Sequence, residues 1–406
     1  MRVLFLTHRL PYAPNRGDRI RAYHLIRTLA RTDDVFVVSL VHDAEEAGHV
    51  PDVAKLCAGA EGASVPARRN RVRALAALAG STPLTHVLLD SPRMPAILDR
   101  VTAEWKPDVV LAYCSGMARY ALAAPLAGRP FVLDMVDVDS EKWRALSEKS
   151  PIQKRWIYRR EWRLMRGFER HAAVAARATL VVSERERIAM REIAPDARTL
   201  LIPNGVDVAG FTPRQPPVPS KTIAFCGVFN YAPNEEGAVW LARRVWPDVL
   251  REEPEARLML VGMNPSAAVR GLAQDPSISV TGAVPDVRPY LWSAAASVAP
   301  LFVARGLQNK VLEALAAGLP CVITPAVMDG LPVEARGGCI AAGDPSEFAR
   351  GILRLLALAP SERRAFAGRS DLAALTWDRQ LQDVPAIVAS AREAAAPAPQ
   401  AAQGGH

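Results

Sequence analysis

Short runs of apolar residues alternate with helical patterns along this chain, and the whole alternation occurs twice. In the first half the runs are RVLFL (2–6), VFVVSLV (35–41), DVVLAY (108–113), PFVLDMV (130–136) and TLVVS (179–183). Between the first two lies DRIRAYHLIRTLAR (18–31), with apolar residues at helical spacing. Strand, helix and strand in repeated succession predict a parallel, doubly wound α/β sheet.

LLIPNGVDVAGFTP (200–213) leads into RQPPVPSK (214–221), a proline-rich stretch that reads as an interdomain linker. The alternation then restarts, with TIAFCG (222–227), RLMLVG (257–262), ISVTG (278–282), SVAPL (297–301) and CVIT (321–324) as strands. Helices are predicted over 235–252, 286–296, 306–317 and 346–358. The division is a Rossmann-like domain at 1–205, a linker at 206–221 and a second Rossmann-like domain at 222–375. TWDRQLQDVPAIVASARE (376–393) predicts a last helix, expected to pack back on the first domain. AAAPAPQAAQGGH (394–406) is low in complexity and expected to be disordered. Two facing domains of this type make a cleft, with ligands at the carboxyl ends of strands.

A chain of 406 residues is too long for one ordinary core. The formal net charge is +8, carried mostly by arginine. Such a balance suits nucleic acid, an anionic membrane or phosphorylated ligands. No zinc-finger or RNP-type pattern is present, so nucleic acid is not an expected partner. Five cysteines (57, 114, 226, 321, 339) are scattered and lack a CxxC spacing, which reads as reduced, packed thiols. MRVLFLTHRLPY is too short in apolar residues for a signal peptide. No run approaches the ~18 apolar residues of a spanning helix. The expectation is a cytoplasmic protein, soluble or resting on the inner face of the membrane.

RGLQNKVLEALAAGLP (305–320) sits between two apolar runs. Leu307, Val311, Leu312 and Leu315 form an apolar stripe, and Gly318 then Pro320 end the helix. A helix start after the glycine turn at Gly306 is an anion site, because free N–H groups and the helix dipole point at it. Arg305 and Lys310 add charge-assisted hydrogen bonds suited to a diphosphate. Glu313 lies one turn beyond Asn309, where a carboxylate accepts two hydrogen bonds from a vicinal diol such as ribose. On spacing alone, a surface helix with ordinary polar residues explains the segment about as well.

LEALAAGLPCV (312–322) matches the second half of a known signature, two glutamates with seven residues between them, the second opening EALA-x-G-x-P-V. The segment resembles the donor-binding signature of family 4 retaining glycosyltransferases, which have the GT-B fold of two Rossmann-like domains. The resemblance makes Glu313 the ribose ligand. Position 305 carries arginine where the family has its first glutamate, so Arg305 and Lys310 are expected to serve the diphosphate. FCGVFNYAPN (225–234) resembles the first turn of the donor domain, which implies donor contacts at Gly227 and Asn230. VTGAVPDVRPYL (280–291) resembles the turn whose backbone reads the nucleobase, around Ala283 and Val284. The 306–313 segment implies further donor contacts at Gly306, Leu307, Gln308, Asn309 and Leu312. HRLPYAPNRGDRIRAYHL (8–25), with DMVDVDSEKW (134–143) and ARGLQNKVLEA, resembles sugar transferases of exosortase/PEP-CTERM exopolysaccharide systems. That implies a nucleoside diphosphate sugar as co-substrate, a lipid-linked saccharide acceptor, and no metal or other cofactor.

In the family the glycine loop at Gly17 and Asp18 approaches the diphosphate and the acceptor. The bland alternative is an N-cap at Asp18 before an amphipathic helix. His8 and Arg9 end a strand, where acceptor-side residues gather. Asp137 and Asp139 form a DxD, a short and common pattern. They are candidates at the strand end, with a metal-dependent GT-A enzyme as one alternative and Asp139 as an N-cap as another. A nucleotide-sugar epimerase and a non-catalytic GT-B scaffold also remain. Residues 142–170 interleave basic and aromatic side chains, and 68–80 is basic then apolar. Ile157, Leu164, Met165 and Phe168 could share a face, flanked by Trp156 and Trp162, as in a helix lying on anionic lipid. A core helix with a solvated charged face is an equal reading.

Overall fold

In the first half of the chain seven strands form one sheet: β1 (Arg2–Thr7), β2 (Asp34–Val41), β3 (Gly59–Ser64), β4 (Val109–Tyr113), β5 (Phe131–Val136), β6 (Ala178–Val181) and β7 (Thr199–Leu201). Their spatial order is β3-β2-β1-β4-β5-β6-β7, and every neighbouring pair is parallel. All of β4 and all but the first residue of β1 are buried, as expected of strands covered on both faces. The second half repeats the plan with β8 (Thr222–Cys226), β9 (Arg257–Val261), β10 (Ile278–Val280), β11 (Ala296–Ala299), β12 (Cys321–Ile323) and β13 (Cys339–Ala341). Their order is β10-β9-β8-β11-β12-β13, again all parallel. The α/β fold of two Rossmann-like sheets is therefore the one the alternation predicts.

This computed structural model describes residues 1–14, 17–216, 219–304 and 307–393. They fall into two compact units: Met1–Pro203 with the segment from Leu381 onward, and Asn204–Gln380. The last helix, Val384–Glu393, packs on the helix Gly17–Leu29 and on β4 and β5 of the first unit. The predicted linker 206–221 falls within the second unit, and its first part is packed there. Val206 bridges to Thr376, and Trp292 Nε1 donates to Phe211 O at 2.6 Å. All five cysteines are free thiols.

Several boundaries differ from expectation for local reasons. The helix predicted at 235–252 is Ala232–Trp240, a π-helical turn at Leu241–Val245, then Trp246–Glu252. Pro247 has no N–H to donate to the preceding turn, which accounts for the irregularity. The helix predicted at 286–296 contracts to Arg288–Trp292, where Asp286 Oδ1 accepts from Arg288 N at 2.9 Å. The predicted last helix is two pieces, Trp377–Gln380 and Val384–Glu393. Strands β3, β7 and β13 fall outside the apolar runs. GAEGAS has no β-branched residue, and the other two are three-residue strands at or near an edge.

Candidate functional site

Strand order reverses in each sheet, between β1 and β4 in the first unit and between β8 and β11 in the second. In open parallel sheets that reversal opens a crevice at the carboxyl ends of the strands.

In the second unit, β8 ends in Phe225 and Cys226, and Gly227 begins the turn. Gly227 N donates to Val261 O at 2.9 Å, and Phe229 N donates to Met263 O at 3.0 Å. Gly262 has φ +147, and a Cβ there would stand 1.7 Å from Gly227 O, so only glycine fits behind the turn. Asn234, buried on the first turn of Ala232–Trp240, donates from Nδ2 to Val228 O at 2.9 Å. Its Oδ1 accepts from Lys310 Nζ at 2.6 Å. The same ammonium lies 5.1 Å from the centre of the Phe225 ring, a cation–π distance.

Lys310 is on the helix Asn309–Ala316, which is anchored by buried Val311, Leu312, Ala314 and Leu315. Glu313 follows one turn later on the same side. Burial pulls the Lys310 ammonium down to about 8, against the opposing pull of Cys226 and Glu313. Burial pushes the Glu313 carboxyl up to about 7, against Lys310. Among the described residues, none donates a hydrogen bond to the Glu313 carboxylate, and the buried Asn309 Oδ1 has no partner. A cation held by an amide, beside a carboxylate with open acceptor capacity, suits a ligand carrying both phosphate and hydroxyl groups.

In the first unit, His8 follows β1 and stacks on Tyr113, the last residue of β4, with ring centres 5.7 Å apart. Arg9 and Arg19 both donate to Glu46 Oε1, at 2.5 and 2.7 Å, and His42 N donates to Oε2 at 2.9 Å. Burial alone would raise the Glu46 carboxyl, but the His42 N–H, Arg19 and Arg9 outweigh it and hold it below the ordinary range. Cys114, at φ 70, opens the helix Ser115–Ala121. Burial first, then Asp139, pushes its thiol up to about 12, so it is no nucleophile.

The loop after β5 is strapped by two glutamates. Val138 N donates to Glu186 Oε2 at 2.7 Å, and Ser140 N donates to Glu169 Oε1 at 3.0 Å. Ser115 Oγ donates to Asp139 Oδ2 at 2.5 Å. Glu169 is buried, and burial together with the Asp139 charge pushes it up to about 8, so it is mostly protonated at neutral pH. Among the described residues, no group of three or more His, Cys, Asp or Glu side chains is placed to hold a metal ion.

Family models cover most of the chain. Residues 16–205 match one described as a glycosyl transferase 4-like domain, and 220–358 match glycosyl transferases group 1. The chain is a glycosyltransferase of the GT-B fold. No curated protein matches its sequence. Solved structures similar to this glycosyltransferase include sucrose-phosphate synthase from Thermosynechococcus elongatus, with TM-score 0.69, 17% identity, and coverage of 97% of this chain and 100% of that one. Anabaena HepE in complex with UDP and glucose matches at TM-score 0.68 and 14% identity, covering 96% of this chain and 100% of that one. WaaG, a glycosyltransferase involved in lipopolysaccharide biosynthesis, matches at TM-score 0.61 and 17% identity, covering 95% and 99%. The GT-B fold sets aside the GT-A reading of the DxD.

In this glycosyltransferase Gly227 and Lys310 meet through Asn234 at the end of β8, and the Glu313 charge acts on Lys310 and Cys226 there. Asn230 is exposed in the same turn. Ala283 is exposed after β10, and Val284 packs on the core of its unit. Leu307 packs against that core and Gln308 is the N-cap, so the described helix begins at Asn309 rather than 306. Leu312 is fully buried, leaving no side chain for a ligand. Arg305 and Gly306 lie outside the described residues, as does the 394–406 tail. Gly17 and Asp18 are the first two residues of Gly17–Leu29. Asp137 is exposed, while Asp139 is the first residue of Asp139–Lys149 and Val138 is its N-cap. Arg9 is half-buried against Glu46.

The basic stretch 142–170 is broken at Pro151 into Asp139–Lys149 and Ile152–Ala175. Met165 is buried, Phe168 packs on the core, and Ile157 and Leu164 are half-buried. That face therefore looks inward and is not the face a membrane would meet. Sequence reasoning missed Asn234, Glu169, Glu186 and Glu46. Each acts on a residue distant in the chain, which no local spacing reports.

Proposed function

We propose that this glycosyltransferase moves a sugar, with retention, from a nucleoside diphosphate sugar to a lipid-linked saccharide in bacterial exopolysaccharide assembly, without a metal. The observation that carries the reading is the Lys310–Asn234 hydrogen bond at the end of β8, with Glu313 one turn further on. Lys310 binds the diphosphate, and the Glu313 carboxylate accepts from the ribose hydroxyls. The complex of HepE with UDP and glucose supports a nucleotide of this kind. The bond from the anomeric carbon to the diphosphate breaks, and its developing charge is held by Lys310, the amides at the start of Asn309–Ala316 and Arg305. The acceptor hydroxyl attacks the same face and passes its proton to a phosphate oxygen. No enzyme nucleophile or base is then required. In the first unit His8, Arg9, Asp18 and Asp139 are the proposed acceptor-side groups, and Gly17 and Asp137 are the proposed catalytic ones.

A thermal-shift panel of UDP, GDP, ADP and their sugars, with and without Mg²⁺ and EDTA, tests this reading, since binding raises apparent stability. A metal-independent shift by one nucleotide is expected. A shift only with metal, or none with any nucleotide, would remove the reading. Conversion of the donor without an acceptor would replace it with an epimerase.

A further inference from the structure

The helix Ala67–Ala77 is 11 residues long and buries only Asn70. Helices this short are marginal unless an apolar face is covered. Here the apolar side chains point outward: Val72 is 68% exposed and Leu75 is 70% exposed. The helix is held by polar clamps instead. Asn70 Nδ2 donates to Asp90 O at 2.7 Å, and Arg73 pairs with Asp90 at 2.6 Å. At its other end Arg160 donates to Ala77 O, Gly80 O and Thr82 O, at 2.6, 2.5 and 3.0 Å. Arg160 belongs to Ile152–Ala175, so one guanidinium ties the two helices together. One and two turns before it stand Trp156 and Ile152, 53% and 74% exposed.

The exposed charge on these helices has one sign, since Glu161 and Glu169 are both buried. Residues 67–80 contain no acid, and 151–168 contain only Glu161, which is buried. The Glu161 carboxylate accepts from Leu84 N and Thr85 N, both at 2.8 Å, so it faces inward. Arg68, Arg69, Arg71, Lys154, Arg159 and Arg163 are exposed, and none has an acidic partner among the described residues.

We propose that the helix Ala67–Ala77 and the first turns of Ile152–Ala175 form one docking surface for an anionic lipid bilayer. Val72, Leu75, Ile152 and Trp156 enter the interface, and the surrounding cations meet the lipid phosphates. The inference extends the lipid-linked acceptor reading but needs neither donor nor acceptor to be tested.

The full chain is floated with vesicles of phosphatidylglycerol in phosphatidylcholine, and with phosphatidylcholine alone. Binding is expected only to the anionic vesicles, and salt should weaken it. Val72→Ser with Leu75→Ser should lower that binding roughly tenfold or more, since two inserted apolar side chains are lost. Arg68→Ser with Arg69→Ser and Arg71→Ser should lower it similarly. Circular dichroism and the thermal midpoint check that both variants fold. No binding by the parent chain, equal binding to both vesicle types, or unchanged binding by both folded variants would overturn the proposal. So would a dimer lost in the Val72–Leu75 variant without vesicle binding by the parent, which would make a second copy the occupant. No nucleotide or sugar enters the assay, so failure of the transfer reading cannot produce any of these results.

Discussion

Lys310 Nζ and Asn234 Oδ1 stand 2.6 Å apart, and the same Asn234 amide donates to Val228 O at 2.9 Å. One buried side chain thus aims a cation from one helix and pins the turn that follows β8. In the proposed reaction the cation meets charge that grows as the diphosphate leaves. Lys310→Ala is expected to lower kcat by about 10²–10³, the usual loss for one donor aimed at developing charge. KM for the donor should change much less. Asn234→Ala leaves the cation but not its aim, so a smaller fall in kcat is expected. Steady-state release of the nucleotide diphosphate measures both, and wild-type kcat in Lys310→Ala would sink the site assignment.

Glu313 is proposed to bind a diol, which requires the carboxylate. Burial raises its carboxyl to about 7, so part of the apo protein is protonated near neutrality. Nucleotide affinity should therefore weaken as pH falls through about 7. Glu313→Gln should bind several-fold more weakly at about pH 7.5 and show little change between that pH and about 6. Calorimetric titration at the two pH values gives the comparison. An unchanged pH dependence in the variant would take Glu313 out of the ribose role.

The apolar runs report the fold because parallel strands buried on both faces must be apolar throughout, as in RVLFL and DVVLAY. The 305–320 segment was legible as a helix because Val311, Leu312 and Leu315 face the core. What the sequence withheld is tertiary pairing. Asn234 meets Lys310 across 76 positions, and Glu46 meets Arg9 and Arg19 across 37 and 27. The apolar face of 142–170 was legible as a stripe, but not which side of it met the core. Only Met165 buried and Trp156 exposed decide that.

Glu169 makes stability depend on pH in a definite direction. Its carboxyl rises from 4.5 to about 8, through burial and then the Asp139 charge. Between those values the native chain keeps a proton that the unfolded chain has released. Stability contributed by the protonated form is present below about 4.5 and is lost as pH rises toward 8. Glu169→Gln keeps the acceptor for Ser140 N and carries no charge at any pH. Relative to this variant, the parent should lose on the order of a few kcal/mol between about pH 5 and pH 8.5. Urea unfolding at both pH values measures the difference, and the Glu313 contribution cancels because both proteins contain it. Parallel pH profiles would show that Glu169 is ionised in the native state.

Gly227 separates a structural from a functional role for the β8 turn. A Cβ at 227 would lie 3.0 Å from Asn234 Nδ2 and 3.1 Å from its Cγ, so the amide must give by a few tenths of an ångström. The backbone itself is not in the way, so Gly227→Ala should fold with a thermal midpoint close to the parent. The displaced amide carries Lys310 with it, and a fall in kcat of roughly tenfold is expected from misplacing the cation proposed to meet the diphosphate. If that route is right, Gly227→Ala and Asn234→Ala share one mechanism. The double variant should then lose little beyond the worse single variant, since coupled neighbours do not add. Additive losses in the cycle would mean that Gly227 meets the donor directly. Gly262→Ala is the control: its Cβ would strike Gly227 O at 1.7 Å, and it should fail by unfolding rather than by slow turnover.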